Sequence, residues 1–265
     1  MKKYVLITGA SAGLGKAFAL ELARQGHHLI LVALPHENLE ILAQHIRMTC
    51  NVSVSYYETD LCQRPNIEAL VAWLRVSRFE IFYLINNAGI GGSQAFDQAD
   101  TERIERILQL NIIGTSLLTR LVLPFLTRFP QSYILNVSSM AAFSPIPYKT
   151  VYPASKAFIY SFSLGLRAEL SALGVQVSVV HPGPMPHSPE NQARLRKHGR
   201  LGRMATVPLD LIARTALERV QQGQPVIIPG WTNKVGYWMT RWIPWSWRQP
   251  LMVSMLRKEL TSTTV

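Results

Sequence analysis

Tyr152 and Lys156 are the two residues whose types and spacing point most directly to chemistry. If the stretch that contains them opens a helix, their side chains lie one turn apart on the same face. Pro153 favours that placement, because proline is tolerated in the first turn of a helix. A lysine ammonium nearby would lower the tyrosine pKa from its usual value of about 10. We therefore predict that Tyr152 exchanges a proton with a carbonyl or carbinol oxygen, although the short pattern alone is more often the exposed start of a helix.

A glycine-rich turn near the N-terminus is the second feature that points to function. An apolar run from Tyr4 to Thr8 indicates a strand, and the helical pattern after the turn stops at Gly26. Glycines in such a turn let the backbone approach a pyrophosphate, and the start of the helix offers free N–H groups. The turn therefore predicts dinucleotide binding rather than a plain connection. The residues expected to contact the cofactor here are Gly9, Ser11, Gly13, Leu14 and Gly15.

The end of the second predicted strand, residues 28–33, bears on the choice of dinucleotide. An acidic residue there would bind the ribose 2′-hydroxyl and repel a 2′-phosphate. The residues at this end are Ala33, Leu34, Pro35 and His36. There is neither an acid nor an arginine among them, so we predict NADP(H) over NAD(H), with Leu34 beside the adenosine.

Further apolar runs alternate with helical patterns along the rest of the chain. The predicted later strands are residues 52–57, 82–85, 133–137, 175–180 and 226–229. This alternation predicts an α/β fold: a single-domain, Rossmann-type, doubly wound parallel sheet of about seven strands. We assign residues 1–230 to that unit and residues 231–265 to a C-terminal extension of it.

Turns after the strands supply the remaining candidate site residues, because ligands bind at the carboxyl ends of such strands. Asp60 could meet the adenine edge, and it is equally typical of a cap for the helix at 64–76. Asn111 lies in a long helical stretch, 100–129, where a buried asparagine would be kept for its amide. The other residues predicted to contact the cofactor are Leu61, Asn87, Ala88, Gly89, Pro182 and Gly183.

Taken together, the motifs resemble those of the short-chain dehydrogenase/reductase family over about residues 3–230. The positions that carry the resemblance are Thr8 to Gly15, Asn86 to Gly89, Asn111, Ser139, Tyr152, Lys156 and Pro182-Gly183. The resemblance implies an NAD(P)-dependent oxidoreductase that acts on a carbonyl/alcohol pair.

The resemblance also implies roles for four side chains. Tyr152 would be the general acid in reduction and the base in oxidation. Lys156 would lower the Tyr152 pKa and hold the nicotinamide ribose, so both residues are also expected to contact the cofactor. Ser139 would bind the substrate oxygen, and Asn111 would hold a water in a proton relay.

One departure from the family pattern follows Pro182-Gly183. The place where the family often has a threonine that contacts the nicotinamide amide holds His187, followed by Ser188. Either residue could substitute for the threonine, or the contact is lost. We expect His187 to be a loop residue and leave it out of the catalytic set. We expect residues 187–206 to cover a substrate pocket. Three apolar residues in that loop suggest a hydrophobic substrate, although they could equally pack against the fold: Leu195, Leu201 and Met204.

The net charge of +11 predicts attraction to anions such as phosphorylated cofactors, anionic lipid or nucleic acid. No nucleic-acid recognition motif accompanies the charge, so we do not expect that partner. Cys50 and Cys62 match no metal or redox spacing, so we expect free thiols in the cytoplasm and no metal. We also expect no apolar run to approach the length of a transmembrane helix. The alternative to an enzyme is an NADP-binding regulator that has lost turnover, and the presence of Ser139, Tyr152 and Lys156 argues against it.

Assembly and the C-terminal extension complete the sequence-based expectations. The resemblance implies a homodimer or homotetramer, with contacts through helices 100–129 and 152–173. Five of the six tryptophans lie in residues 231–265, interspersed with basic residues. Such a segment suits peripheral contact with a membrane surface. We favour the alternative that it folds over the substrate pocket or packs on a neighbouring subunit.

Overall fold

Seven parallel strands form the centre of the protein, in a computed structural model that describes residues 2–92, 94–185 and 206–261. The strands are β1 (Lys3–Thr8), β2 (His28–Ala33), β3 (Val54–Glu58), β4 (Glu80–Asn86), β5 (Ser132–Val137), β6 (Val175–Val180) and β7 (Val226–Ile227). Their order is β3-β2-β1-β4-β5-β6-β7, which confirms the predicted doubly wound sheet. The direction of winding reverses between β1 and β4, and a crevice for a ligand is expected at that point.

Helices cover both faces of the sheet, as the alternating sequence pattern predicts. They are α1 (Gly13–Arg24), α2 (Leu39–Cys50), α3 (Arg64–Val76), α4 (Thr101–Leu108), α5 (Thr115–Leu126), α6 (Val151–Leu170), α7 (Leu209–Gln221), α8 (Trp231–Trp242) and α9 (Trp245–Thr261). Helices α1, α2 and α7 pack on one face, and α3, α5 and the end of α6 pack on the other.

β1 shows why the strands are apolar on both sides. Val5 and Ile7 belong to one core cluster and Leu6 to the opposite one, and all three are fully buried. Side chains alternate between the faces of a strand, and helices cover both faces here, so a continuous apolar run is required.

The predicted helix at 100–129 consists of three parts. Between α4 and α5 the chain forms a π-helical turn, Gln109–Gly114, which contains Asn111. A Cβ atom on Gly114 would lie 2.7 Å from the Leu61 carbonyl oxygen, so the turn approaches the β3–α3 connection closely. π-Helical turns inside α-helices are frequent at functional sites.

The expectation that no stretch has the length and composition of a membrane-spanning helix is wrong for Thr101–Leu126, which passes that test. The stretch nevertheless packs against the sheet, with Leu118, Val122 and Phe125 buried in the second core cluster. A core helix of a globular protein has this apolar composition as well.

Asp60 does not cap α3, so that alternative is wrong. Gln63 is the N-cap of α3 and provides no side-chain cap. Asp60 Oδ1 instead accepts a hydrogen bond from the Cys62 backbone N–H at 2.9 Å. The carboxylate shapes the local turn because it lies too early in the chain to reach the first turn of α3.

Candidate active site

The turn between β1 and α1 has the backbone that a phosphate cradle needs. Gly9 and Gly13 have φ angles of 62° and 55°, which side chains with a Cβ rarely adopt. A Cβ on Gly15 would collide with the Gly9 carbonyl oxygen, so α1 packs tightly on the turn. Ala12 is the N-cap of α1 and offers no side-chain cap. The first N–H groups of α1 therefore remain available, which fits a dinucleotide pyrophosphate.

The turn after β4 is tied to this cradle. The Asn87 amide donates to the carbonyl oxygens of Thr8 at 2.9 Å and Gly9 at 3.0 Å. The Thr8 hydroxyl oxygen accepts from the backbone N–H groups of Asn87 at 3.0 Å and Ala88 at 3.1 Å. Both amide hydrogens of Asn87 are thus donated within the protein, and its side chain holds the two turns together. Sequence reasoning missed Thr8 as the partner because the contact joins two distant turns.

The adenosine end of the cradle contains an acid that the sequence analysis missed. Ala33 and the exposed Leu34 lie at the end of β2, as predicted. Three residues after Leu34, the exposed Glu37 carboxylate accepts a hydrogen bond from the Ser11 hydroxyl at 2.5 Å. The chain turns sharply here, because the flanking residues His36 and Asn38 both have positive φ angles. That reversal brings Glu37 back to the glycine-rich turn.

The two residues predicted to lie on the adenine side, Asp60 and Leu61, differ in their exposure to solvent. Leu61 is buried in the core, so its side chain has a packing role. Asp60 is partly exposed, and its Oδ2 lies 3.9 Å from an Arg106 guanidinium nitrogen. Leu14 is also buried in the core, which leaves only its backbone to face the cradle.

Lys156 is anchored under the end of β5. Its Nζ donates to the Val137 carbonyl oxygen at 3.0 Å and lies 5.9 Å from the centroid of the Tyr152 ring. The Ser138 hydroxyl donates to the Lys156 backbone carbonyl at 2.8 Å, which ties α6 to the same strand. Burial lowers the Lys156 pKa to about 8. The ammonium is therefore still mostly charged at neutral pH.

Tyr152 lies in the first turn of α6, as its spacing predicts, and is half-buried. Burial raises its pKa, and a hydrogen bond with the Ser139 side chain lowers it. The predicted net lowering of the Tyr152 pKa is therefore wrong in this structure. The cause is that burial outweighs the hydrogen bond, while the Lys156 ammonium donates to Val137.

Ser139 caps the short 3₁₀ turn Met140–Phe143. Its hydroxyl oxygen accepts from the Ala141 backbone N–H at 3.1 Å. The Ser139 side chain also lies close enough to Tyr152 to lower the pKa of the phenol. A substrate oxygen between the two hydroxyls would meet two donors.

Asn111 is held from three sides inside the π-helical turn. Its amide nitrogen donates to the Ile90 carbonyl oxygen and to the Ser155 hydroxyl, both at 2.9 Å, and its oxygen accepts from the Ile90 N–H at 3.0 Å. A Cβ on Gly89 would lie 3.1 Å from both the Asn111 oxygen and Lys156 Nζ. Gly89 therefore allows the amide and the ammonium to approach the same point.

His181 is a candidate positioning residue that the sequence analysis did not single out. It lies at the end of β6, fully buried, with its Nδ1 3.0 Å from the Ser139 carbonyl oxygen. Because a carbonyl only accepts, Nδ1 carries the proton in this contact. The ring packs 4.3 Å from that of Phe143, and burial is the main cause that lowers the His181 pKa to about 4. The imidazole is therefore neutral at neutral pH.

Pro182 and Gly183 follow His181 beyond the carboxyl end of β6. A Cβ on Gly183 would collide with the Asn233 amide at the start of α8. Residues 187–205, including the predicted loop residues His187, Ser188, Leu195, Leu201 and Met204, lie outside the residues that the structure describes.

Comparisons with known sequences identify the family to which a site of this kind belongs. The family model for short chain dehydrogenases matches residues 3–198. The chain is 36% identical over 183 residues to a very-long-chain 3-oxoacyl-CoA reductase of Anas platyrhynchos, covering 68% of this chain and 58% of that protein. It is 34% identical over 180 residues to an NADP-dependent 3-hydroxy acid dehydrogenase of Salmonella typhi, covering 68% of this chain and 71% of that protein. The match therefore spans less than two thirds of the duck relative.

Solved structures show the same similarity over nearly the whole chain. A short-chain dehydrogenase from Sphingobium yanoikuyae in complex with NADPH is 30% identical, with a TM-score of 0.77 and coverage of 98% of this chain and 95% of that one. A bulky-bulky ketone specific alcohol dehydrogenase from Comamonas testosteroni is 28% identical, with a TM-score of 0.74 and coverage of 98% and 93%.

Proposed function

Because this chain belongs to the short-chain dehydrogenase/reductase family, we propose that it is an NADP(H)-preferring oxidoreductase that interconverts a hydrophobic carbonyl compound and its alcohol. The observation that carries the proposal is the placement of Lys156 beside Tyr152 at the carboxyl edge of the sheet. The Lys156 ammonium lies 5.9 Å from the tyrosine ring and donates to the Val137 carbonyl oxygen at the end of β5, two residues before Ser139. This group lies beside the turns that fit a dinucleotide.

Tyr152 is the proton donor in the proposed reduction. The bound nicotinamide supplies the hydride chemistry, and the protein supplies position and protons. The Tyr152 phenol gives its proton to the carbonyl oxygen, while the Ser139 hydroxyl donates a second hydrogen bond to that oxygen. In the oxidation direction the same phenol oxygen takes the proton back.

Lys156 and Asn111 support the proton transfer between Tyr152 and the substrate oxygen. The Lys156 ammonium, with a pKa of about 8, is a source from which the phenol regains its proton. Asn111 places its amide oxygen next to Gly89, toward the same ammonium. In the proposed role Asn111 holds a water between these groups.

Three observations support the preference for NADP(H). No carboxylate stands directly at the end of β2, the chain carries a net charge of +11, and the Salmonella relative is named as NADP-dependent. Glu37 opposes it, because its carboxylate beside Ser11 would repel a 2′-phosphate. Glu37 is exposed on a turn, so it is free to rotate toward solvent when a phosphate binds.

Aromatic rings beside Ser139 support a hydrophobic substrate. Phe143 packs 5.4 Å from Tyr160 and 4.6 Å from Tyr237 of α8. These rings form an apolar wall next to the hydroxyl that would bind the substrate oxygen. The relatives named for very-long-chain acyl and bulky ketone substrates are consistent with such a wall.

We also propose a homodimer or homotetramer in the cytoplasm, with peripheral contact to a membrane. Three apolar residues on the predicted contact helices support the assembly, since Leu108, Ile113 and Phe158 are exposed. Light scattering at micromolar concentration tests it, and a monomer would refute it.

The function is tested by titrating the protein with NADPH and NADH and then offering a carbonyl panel with the preferred cofactor. We expect tighter binding of NADPH and carbonyl-dependent loss of its absorbance. Cofactor binding without turnover on any carbonyl would instead favour the non-catalytic regulator.

A further inference from the structure

Helix α8 exposes an apolar stripe to solvent. The exposed fractions are 68% for Trp231, 48% for Val235, 55% for Trp238, 53% for Met239 and 78% for Trp242. These residues recur at helical spacing, so they share one face of α8. We call this set the tryptophan face.

The opposite side of α8 is the side that packs on the protein. Asn233 is buried there and donates to the Pro229 carbonyl oxygen at 2.8 Å. Tyr237 packs against Phe143, with ring centroids 4.6 Å apart. Thr240 donates to the Tyr237 carbonyl oxygen at 2.7 Å. The Thr240 bond lies within α8, so the contacts that place this side against the protein are the Tyr237 ring on Phe143 and the close approach of Asn233 to Gly183. This is the reverse of the usual arrangement, in which the apolar stripe faces the core.

The charged side chains that border the tryptophan face are positive. Lys234 and Arg241 are both exposed on α8 and border the stripe on the same side. The sequence contains no Asp or Glu between Arg219 and Lys258. Tryptophan rings edged by cations fit the level of lipid headgroups, where rings meet the apolar boundary and cations meet anionic phosphates.

A second copy of this chain fits the face less well than a membrane does. Two tryptophan faces pressed together would place Lys234 and Arg241 of both copies in one interface. Segment 219–258 offers no carboxylate to neutralise them, and like charges facing each other across an interface oppose association. Charge complementarity thus favours an anionic surface over a second copy.

We propose that α8 is a surface anchor that lies on an anionic bilayer, with Trp231, Trp238 and Trp242 at headgroup level. The anchor does not depend on the proposed catalysis. It does set the orientation of the site, because the inner side of α8 touches Phe143 in the turn that Ser139 caps. Arg248 of α9 adds a second link to that region, with a hydrogen bond to the Ser144 hydroxyl at 3.0 Å.

The test is sedimentation of the full-length protein with two kinds of vesicle, one of phosphatidylcholine alone and one that also contains phosphatidylglycerol. We expect the wild-type protein to bind the anionic vesicles, more weakly as salt is raised, and to bind the neutral vesicles much less. A variant carrying Trp238→Ser and Trp242→Ser should lose about tenfold or more in partitioning, because two large rings no longer enter the interface.

A matched control carries Met48→Ser and Val76→Ser, which replace two exposed apolar residues on α2 and α3. This control should bind the anionic vesicles like the wild type, and both variants should keep the wild-type thermal unfolding midpoint. Failure of the wild-type protein to bind anionic vesicles would overturn the proposal. Equal binding by the tryptophan variant would overturn it too. If light scattering shows that the tryptophan substitutions reduce the assembly size without any lipid binding, the face is instead a contact between copies.

Discussion

The carboxyl edge of the sheet and the tryptophan face of α8 depart in opposite ways from the usual rule that apolar side chains are buried and polar ones exposed. At the edge of the sheet, Asn111 and Lys156 are polar and buried, and each has hydrogen-bond partners within the protein. On α8, Trp238 and Trp242 are apolar and exposed. Asn111 and Lys156 find their hydrogen-bond partners within the chain, while the partner proposed for the tryptophan face lies outside it.

This difference predicts how each region responds to substitution. Removing a partner at the edge of the sheet leaves a buried polar group unsatisfied, which costs about 1–3 kcal/mol. Removing a ring from the tryptophan face leaves no cavity and costs little free energy of unfolding. Substitutions at the edge of the sheet should therefore reduce turnover, and substitutions on the tryptophan face should reduce binding to the membrane.

The largest effect should come from Tyr152→Phe. Loss of the phenol oxygen removes the proposed proton donor, so turnover should fall by about 10²- to 10⁴-fold. NADPH affinity, measured by fluorescence titration, should change little because the ring remains. Tyr133→Phe, near the amino end of β5 and so at the opposite edge of the sheet, is the control and should keep its activity. Full activity in the Tyr152→Phe protein would show that the edge of the sheet is not the catalytic site.

Lys156→Ala should reduce both turnover and cofactor affinity. It removes the ammonium that recharges Tyr152 and that is proposed to hold the nicotinamide ribose, so each quantity should fall by about tenfold or more. Steady-state kinetics and the NADPH dissociation constant measure the two losses separately. Unchanged NADPH affinity would remove Lys156 from the cofactor contacts.

His181 should make the free energy of unfolding depend on acid pH. Its pKa falls from 6.5 to about 4 on folding, chiefly through burial. The unfolded chain therefore binds the proton more readily, so stability present above pH 6.5 is lost as the pH falls toward 4, by a few kcal/mol in all. His181→Asn keeps a donor for the Ser139 carbonyl and removes the titration. Denaturant unfolding should show a flatter pH dependence in this variant, and an unchanged slope would contradict the assignment.

Two substitutions at the adenosine end should move cofactor preference in opposite directions. Leu34→Asp should shift preference toward NADH by about tenfold, because a carboxylate binds the 2′-hydroxyl and repels a 2′-phosphate. Glu37→Gln should tighten NADPH binding, with Glu40→Gln as the exposed control. A wild-type protein that already prefers NADH would show that Glu37, and not the end of β2, decides the preference.

The smallest effects should separate the two sides of α8. Tyr237→Ala removes the ring that packs on Phe143 and should lower the free energy of unfolding by about 1–2 kcal/mol. Trp238→Ser is on the outer side and should change it by less than about 0.5 kcal/mol. Thermal unfolding compares the two. A larger loss for Trp238→Ser would mean that the tryptophan face is buried against the protein.

The sequence predicted the elements whose residues act locally. Apolar runs marked the seven strands, and the glycines between Gly9 and Gly15 marked the cradle because only a narrow set of turns needs them there. Tyr152 and Lys156 could be placed on one helix face from spacing alone. These features depend on neighbours in the sequence, so the sequence alone predicts them.

Features that join distant segments could not be predicted in the same way. Glu37 reaches Ser11 only because the chain reverses at His36 and Asn38. His181 meets the Ser139 carbonyl because β5 and β6 are neighbours in the sheet. The tryptophans of α8 were visible as composition, but which side faces the protein depends on the contact of Tyr237 with Phe143.

The most direct test of the central claim follows hydride transfer with NADPH in which deuterium replaces both hydrogens at the nicotinamide C4 position. Wild-type protein is incubated with this cofactor and with a ketone that the carbonyl panel has identified, and the alcohol product is analysed by mass spectrometry. We predict deuterium on the carbinol carbon of the wild-type product and almost no product from the Tyr152→Phe protein. Alcohol product without deuterium, or equal labelled product from the Tyr152→Phe protein, would contradict the account.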